Sequence, residues 1–195
     1  MRIRTALVAA AAVAIAAQSG AVAATRPKPK PLCNLVTDKP GDLTTGTKSL
    51  DIVGADIVSD GKRLTVVVRL AKLAAVGSEP TSPTGGYFEF QFTHNGAGQK
   101  LFAQITAAGS KFGPGAGAKG AFDLARNEVR ITVNANELFG SPVLRQGDLL
   151  TNFVVSTDIG NPVYDSGSTL YMAGDVANGY KPYPVGAASC VKLGA

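Results

Sequence analysis

Leu50-Asp51-Ile52-Val53-Gly54-Ala55-Asp56-Ile57-Val58-Ser59-Asp60-Gly61-Lys62-Arg63-Leu64-Thr65-Val66-Val67-Val68-Arg69-Leu70 is the stretch that decides the fold. Its second half alternates: Leu64, Val66, Val68 and Leu70 are interleaved with Thr65, Val67 and Arg69. A period of two puts one set on a core and the other on the opposite face of a strand. Asp60-Gly61 interrupts the run with the residues that supply the positive φ values of a tight hairpin. The stretch therefore predicts strand 51–59 folded back antiparallel on strand 62–73.

The same pattern repeats along the chain. Phe88, Phe90 and Phe92 alternate with Tyr87, Glu89, Gln91 and Thr93, and Val129, Ile131 and Val133 alternate with Arg130 and Thr132. His94-Asn95-Gly96-Ala97-Gly98 joins the phenylalanine strand to 100–107, and Ala125-Arg126-Asn127-Glu128 joins 121–124 to 129–134. Residues 149–157 and 168–176 complete the strand candidates. Residues 113–120 read as a loop, and only 135–139 suits a helical turn. Seven to nine short strands with hardly any helix give an all-β, antiparallel sandwich of the immunoglobulin-like or jelly-roll kind, with a closed barrel as the competing architecture.

The chain ends add destination. Arg2 and Arg4 precede an apolar run from Ala6 to Ala17, too short for the roughly 18 to 20 residues a membrane span needs. Ala21-Val22-Ala23 and Val22-Ala23-Ala24 offer small-x-small cleavage patterns, so residues 1–24 read as a secretory signal peptide. Residues 25–32, with Pro27-Lys28-Pro29-Lys30-Pro31, read as an extended polyproline tether. Residues 33–195 read as a single β-sandwich domain. Cys33 and Cys190, the only cysteines, are expected to form one disulfide joining its ends in an oxidising compartment. The expected location is extracellular, with no membrane insertion after cleavage, and the expected state is a monomer.

Charge argues against nucleic acid. The chain carries 19 Lys plus Arg and 14 Asp plus Glu, but the excess lies in Arg2, Arg4, Arg26, Lys28 and Lys30. From Cys33 onward 14 basic residues meet 14 acidic ones, and composition demands no basic face.

The opening hairpin, 50–70, together with Gly120-Ala121-Phe122-Asp123-Leu124-Ala125-Arg126-Asn127-Glu128-Val129-Arg130-Ile131-Thr132-Val133, resembles the strands and turns of secreted bacterial, actinobacterial-type β-sandwich domains. These belong to the DOMON and family-9 carbohydrate-binding-module-like grouping. The resemblance covers about a third of the mature chain and implies fold far more than function. Cytochrome-type members hold haem between a Met and a later His. Here Met172 follows His94, the reverse order, so haem is not expected.

Candidate chemistry is sparse. His94, the only histidine, falls on a hairpin where exposed polar residues are ordinary, and no Gly-x-Ser-x-Gly accompanies it. The run Gly113–Gly120 departs from phosphate-loop spacing around Lys119. Asp51, Asp56 and Asp60 cluster in the first hairpin, and Asp158, Asp165 and Asp175 recur later, as oxygen donors for a structural Ca²⁺. Asp60 is also explained by its turn, and Asp56 reads equally as a solvent-face residue. Without tryptophan, Tyr87, Tyr164, Tyr171, Tyr180 and Tyr183 remain for a sugar-stacking platform, with the last four as the candidates, although Tyr180 and Tyr183 also suit sealing the last segment. Loops 79–86, 94–98 and 111–120 are candidate contacts.

No catalytic residue and no cofactor beyond that Ca²⁺ emerges. The expected function is a secreted, non-catalytic binding or surface-interaction module for a glycan, cell-wall or protein ligand. The alternatives are an extracellular hydrolase using paired carboxylates such as Asp158 and Asp165, and a structural protein or loop-based inhibitor presenting Pro80–Thr84.

Overall fold

The computed structural model describes residues 29–43, 48–75, 86–140, 143–159 and 173–194. In chain order the strands are β1 (Val36–Thr37), β2 (Ile52–Ser59), β3 (Arg63–Leu70), β4 (Gly86–His94), β5 (Ala97–Thr106), β6 (Gly109–Gly113), β7 (Lys119–Asp123), β8 (Glu128–Asn134), β9 (Leu149–Ile159), β10 (Ala173–Gly179) and β11 (Tyr183–Pro184). One 3₁₀ turn, Ala135–Glu137, stands where a helical turn is expected. The first sheet runs β1-β2-β3-β8-β7. The second runs β10-β9-β4-β5-β6, with β11 added to β9. All the strand pairings are antiparallel, and the two sheets make a sandwich. The expected signal peptide 1–24, residues 25–28 of the tether and loop residues 79–85 lie outside the described residues. Among the described residues no helix is long and apolar enough to cross a membrane.

The period-two stripes face inward. Ala55 and Ile57 of β2, Leu64, Val66 and Val68 of β3, and Val129 and Ile131 of β8 have no exposed surface. Opposite them lie Phe88, Phe90 and Phe92 of β4, Leu101 and Ala103 of β5, and Phe153 and Val155 of β9, all within one cluster. Phe90 and Phe153 pack with ring centroids 5.7 Å apart. Each Val, Leu, Ile or Phe side chain among them contributes about 1.5–3 kcal/mol through burial. The turns behave as their residues demand. Gly61 has φ +86°, and Asn95 and Gly96, at +49° and +78°, make a two-residue loop closed by the pair His94↔Ala97.

Two expectations change. The ends of the expected loop 113–120 belong to strands, β6 before it and β7 after it. Residues of β6 carry one large apolar side chain, so no alternation announces them. The strand forms because β5 continues to Thr106 and offers an unpaired edge. Phe112 of β6 meets Phe122 of β7 at 5.5 Å between centroids, which closes that side of the sandwich. The last long strand runs Ala173–Gly179 rather than ending at residue 176. Its glycines hide the pattern. A Cβ on Gly174 would fall 1.5 Å from Thr157 O, and one on Gly179 2.3 Å from Leu35 O.

The terminal segments pack on the first sheet. Cys33 and Cys190, 157 residues apart, form a disulfide with Cα atoms 5.3 Å apart. Leu32 pairs in parallel with Ser189 and donates its N–H to Ala188 O at 2.8 Å. Beyond the bond, Gly194 donates its N–H to Thr65 Oγ1 at 3.0 Å, and Arg130 Nη1 donates to Lys192 O. These contacts lay the two ends over the outward face of the first sheet, where Asp56, Thr65 and Val67 are buried.

Candidate functional site

Three rows of side chains cross the outward face of the second sheet. Register aligns Ser156, Glu89 and Phe102 in the central row, Asp158, Tyr87 and Gln104 on one side, and Val154, Gln91 and Lys100 on the other. Tyr87 and Phe102 are diagonal neighbours whose rings stack at 5.7 Å with an interplanar angle of 21°. Lys111 Nζ lies 6.0 Å from the Phe102 centroid. A Cβ on Gly113 would enter the Phe102 ring, so that glycine makes room for it on the neighbouring strand.

Glu89 sits in the middle. Its Oε2 accepts from Tyr87 Oη at 2.8 Å and lies 3.7 Å from Lys100 Nζ, and its Oε1 accepts from Gln91 Nε2. Only 8 % of its side chain is exposed, whereas half of Lys100's is. A carboxylate tied on both oxygens is fixed in place, and it in turn fixes an amide, a phenol and an ammonium at the surface. The even members of the phenylalanine strand read correctly as core. Of the odd members only Tyr87 stands among the tyrosines open to ring stacking; for Glu89, Gln91 and Phe102 the sequence signal is an aromatic at an outward parity position.

The aspartates of the first hairpin do not form one site. Asp56 is fully buried, which corrects the solvent-face reading. Its Oδ2 lies 2.6 Å from Arg69 Nη2 and its Oδ1 accepts Leu35 N–H at 3.0 Å. Asp60 serves its turn by accepting the N–H groups of Lys62 and Arg63. Against a desolvation that pulls upward, those hydrogen bonds and the Arg63 charge hold its carboxyl below the usual range. Asp51 belongs elsewhere. It is 3 % exposed, its Oδ2 accepts Gly41 N–H at 2.8 Å, and its Oδ1 has no hydrogen-bond partner.

Close by, carboxylate oxygens of Asp38, Asp42 and Asp175 all lie within 4.8 Å of one another. Ile52 N–H, adjacent to Asp51, donates to Asp175 Oδ2 at 2.8 Å. Burial raises the Asp175 carboxyl above its ordinary value, and the charges of Asp38 and Asp42 add to that despite two backbone hydrogen bonds. Asp38 and Asp42 are not among the sequence-predicted oxygen donors. They bound a Pro40-Gly41 turn, which is the one local cue to their proximity.

His94 is 3 % exposed, which corrects the exposed-hairpin reading. Its Nε2 lies 3.0 Å from Asp148 Oδ2, the same oxygen that accepts Arg145 N–H at 2.8 Å. The pair ties the loop before β9 to the end of β4. The Arg145 N–H first, and His94 second, hold the Asp148 carboxyl below its usual range.

The four candidate tyrosines separate. Tyr183 is fully buried, donates Oη–H to Ala187 O and accepts Ser59 N–H, so it seals the last segment and offers no platform. Burial pushes its phenol above the ordinary value, against the Ser59 hydrogen bond. Tyr180 is 83 % exposed. Tyr164 and Tyr171 lie outside the described residues, as do Asp165, Met172 and Pro80–Thr84. Asp158 is placed beside Tyr87 on the outward face.

Neither a comparison with protein-family models nor a search of curated proteins finds a match to this chain.

Proposed function

We propose that the protein is an exported, non-catalytic binding module that uses the outward face of its second sheet to hold an extracellular polysaccharide. One observation carries the reading. Tyr87 and Phe102 form an apolar centre, and Glu89, Gln91 and Lys100 frame it with hydrogen-bonding groups. Polar ligands with apolar ring faces are recognised by that combination of aromatic surface and placed donors and acceptors. Export is supported by the Arg2/Arg4-flanked apolar run and by a disulfide, which persists in oxidising surroundings. The strand-and-turn resemblance to secreted sandwich domains points the same way.

The test is retention on insoluble peptidoglycan, chitin and cellulose. The wild-type protein is expected to be retained on at least one of them. The Tyr87→Ala/Phe102→Ala double variant, folded by circular dichroism, is expected to bind at least about tenfold more weakly, the scale of losing a hot-spot contact. No retention on any of the three, or equal retention of the double variant, would sink the reading.

A further inference from the structure

The carboxylates of Asp38, Asp42 and Asp175 converge although each carries like charge. Ion pairs among the described residues include Arg69–Asp56 on the first sheet and Lys100–Glu89 on the second. Among the described residues no cationic side chain pairs with Asp38, Asp42 or Asp175. Like charges held together in a partly buried place are unfavourable unless something positive lies between them.

Asp51 supplies a second, separate observation. Its carboxylate is 97 % buried and is held against the same turn by Gly41 N–H, one residue before Asp42. Its other oxygen is an orphan. A buried carboxylate oxygen without a partner costs free energy, and native structures rarely tolerate one. Backbone donors already account for part of the site, through Ile52 and Val176 to Asp175 and Lys39 to Asp38. What remains is an all-oxygen, strongly anionic set of donors.

We propose that Asp38, Asp42 and Asp175 bind a divalent cation of the calcium class, with the orphaned Asp51 oxygen accepting a hydrogen bond from a cation-bound water. Oxygen donors alone select hard cations, and thiolate or imidazole ligands are missing from the group. The donors come from two chain segments with separate backbones, the turn after β1 and the start of β10. That irregular set suits the flexible coordination of Ca²⁺ better than the strict octahedron of Mg²⁺. The consequence is architectural. The turn belongs to the first sheet and β10 to the second, so the ion fastens the sandwich at the side opposite the Phe112–Phe122 contact. The inference is independent of the polysaccharide reading.

Calorimetric titration of chelator-treated full-length protein with CaCl₂ tests it. One ion per chain is expected, together with a higher Tm in calcium than in EDTA. Asp38→Asn/Asp42→Asn, which leaves the Asp175 backbone contacts intact, is expected to weaken binding at least tenfold and to remove the Tm difference. Asp60→Asn, a carboxylate change outside the cluster, is expected to leave both unchanged. Absent heat with coincident melts, undiminished binding by the double variant, or preference for Mg²⁺ over Ca²⁺ would each overturn the assignment.

Discussion

Each sheet carries an ion pair on its outward face, Asp56–Arg69 on the first and Glu89–Lys100 on the second. The first closes to 2.6 Å around a fully buried carboxylate, and the second spans 3.7 Å to an ammonium half in solvent. The strand geometry under them is the same antiparallel pleat. What differs is what lies above. Among the described residues the disulfide-linked ends lie over the first face, where Asp56 is fully buried, whereas on the second face Lys100 keeps half of its side chain in solvent and Tyr87 and Phe102 are half-buried. Coverage by the chain ends, rather than strand chemistry, separates the two ion pairs.

Replacing Cys33 and Cys190 with Ser attacks that difference most strongly. Closing a 157-residue loop contributes up to about 5 kcal/mol in the chain-entropy view. Urea denaturation is expected to show a loss of about 2–5 kcal/mol, with hydrogen exchange rising first at Leu32, Cys190 and Gly194. An unchanged midpoint would mean that the ends hold without the bond.

Asp56→Ala comes next. It leaves the Leu35 N–H without its acceptor and Arg69 with Glu128 alone at 3.7 Å, and losing hydrogen bonds to a buried charged group costs about 1.5–3 kcal/mol. The second face should answer differently. Tyr87→Ala is expected to cost about 1 kcal/mol, the scale of one aromatic pair, while weakening retention on polysaccharide. Equal stability losses at Asp56 and Tyr87 would erase the distinction between the faces.

The smallest effect is electrostatic. The Asp148 carboxyl titrates below its ordinary value in the folded protein, so its ionisation favours the fold above the unfolded value of 3.8. That contribution disappears as pH falls through the lowered value. Asp148→Asn is expected to be less stable than wild type near about pH 6, with the gap in urea midpoint closing toward about pH 3. A gap independent of pH would assign the effect to packing alone.

The inward stripes and the hairpin turns were legible because they are local. Alternation at Leu64–Leu70 and Phe88–Phe92, with Asp60-Gly61 and Asn95-Gly96 between strands, needs no knowledge of distant chain. The disulfide was legible because two cysteines leave one pairing. The rest depends on meetings across long separations. Asp56 reads as a surface residue until Cys33–Leu35 is laid over it. His94 meets Asp148, 54 positions away, and Asp175 meets the N–H of Ile52, 123 positions away. β6 exists because β5 offers it an edge, and no side-chain pattern marks that.

The Cys33–Cys190 bond also governs how the molecule carries load. Tension entering through the residues before Cys33 leaves through those after Cys190 by way of the two sulfur atoms. The strands between them feel almost none of it. On the order of 500 Å of contour length is thereby withheld from extension, since each residue spans about 3.4 Å when pulled straight. Held at both ends against flow, the protein would keep its shape until a reductant cut the link, and only then could it unravel.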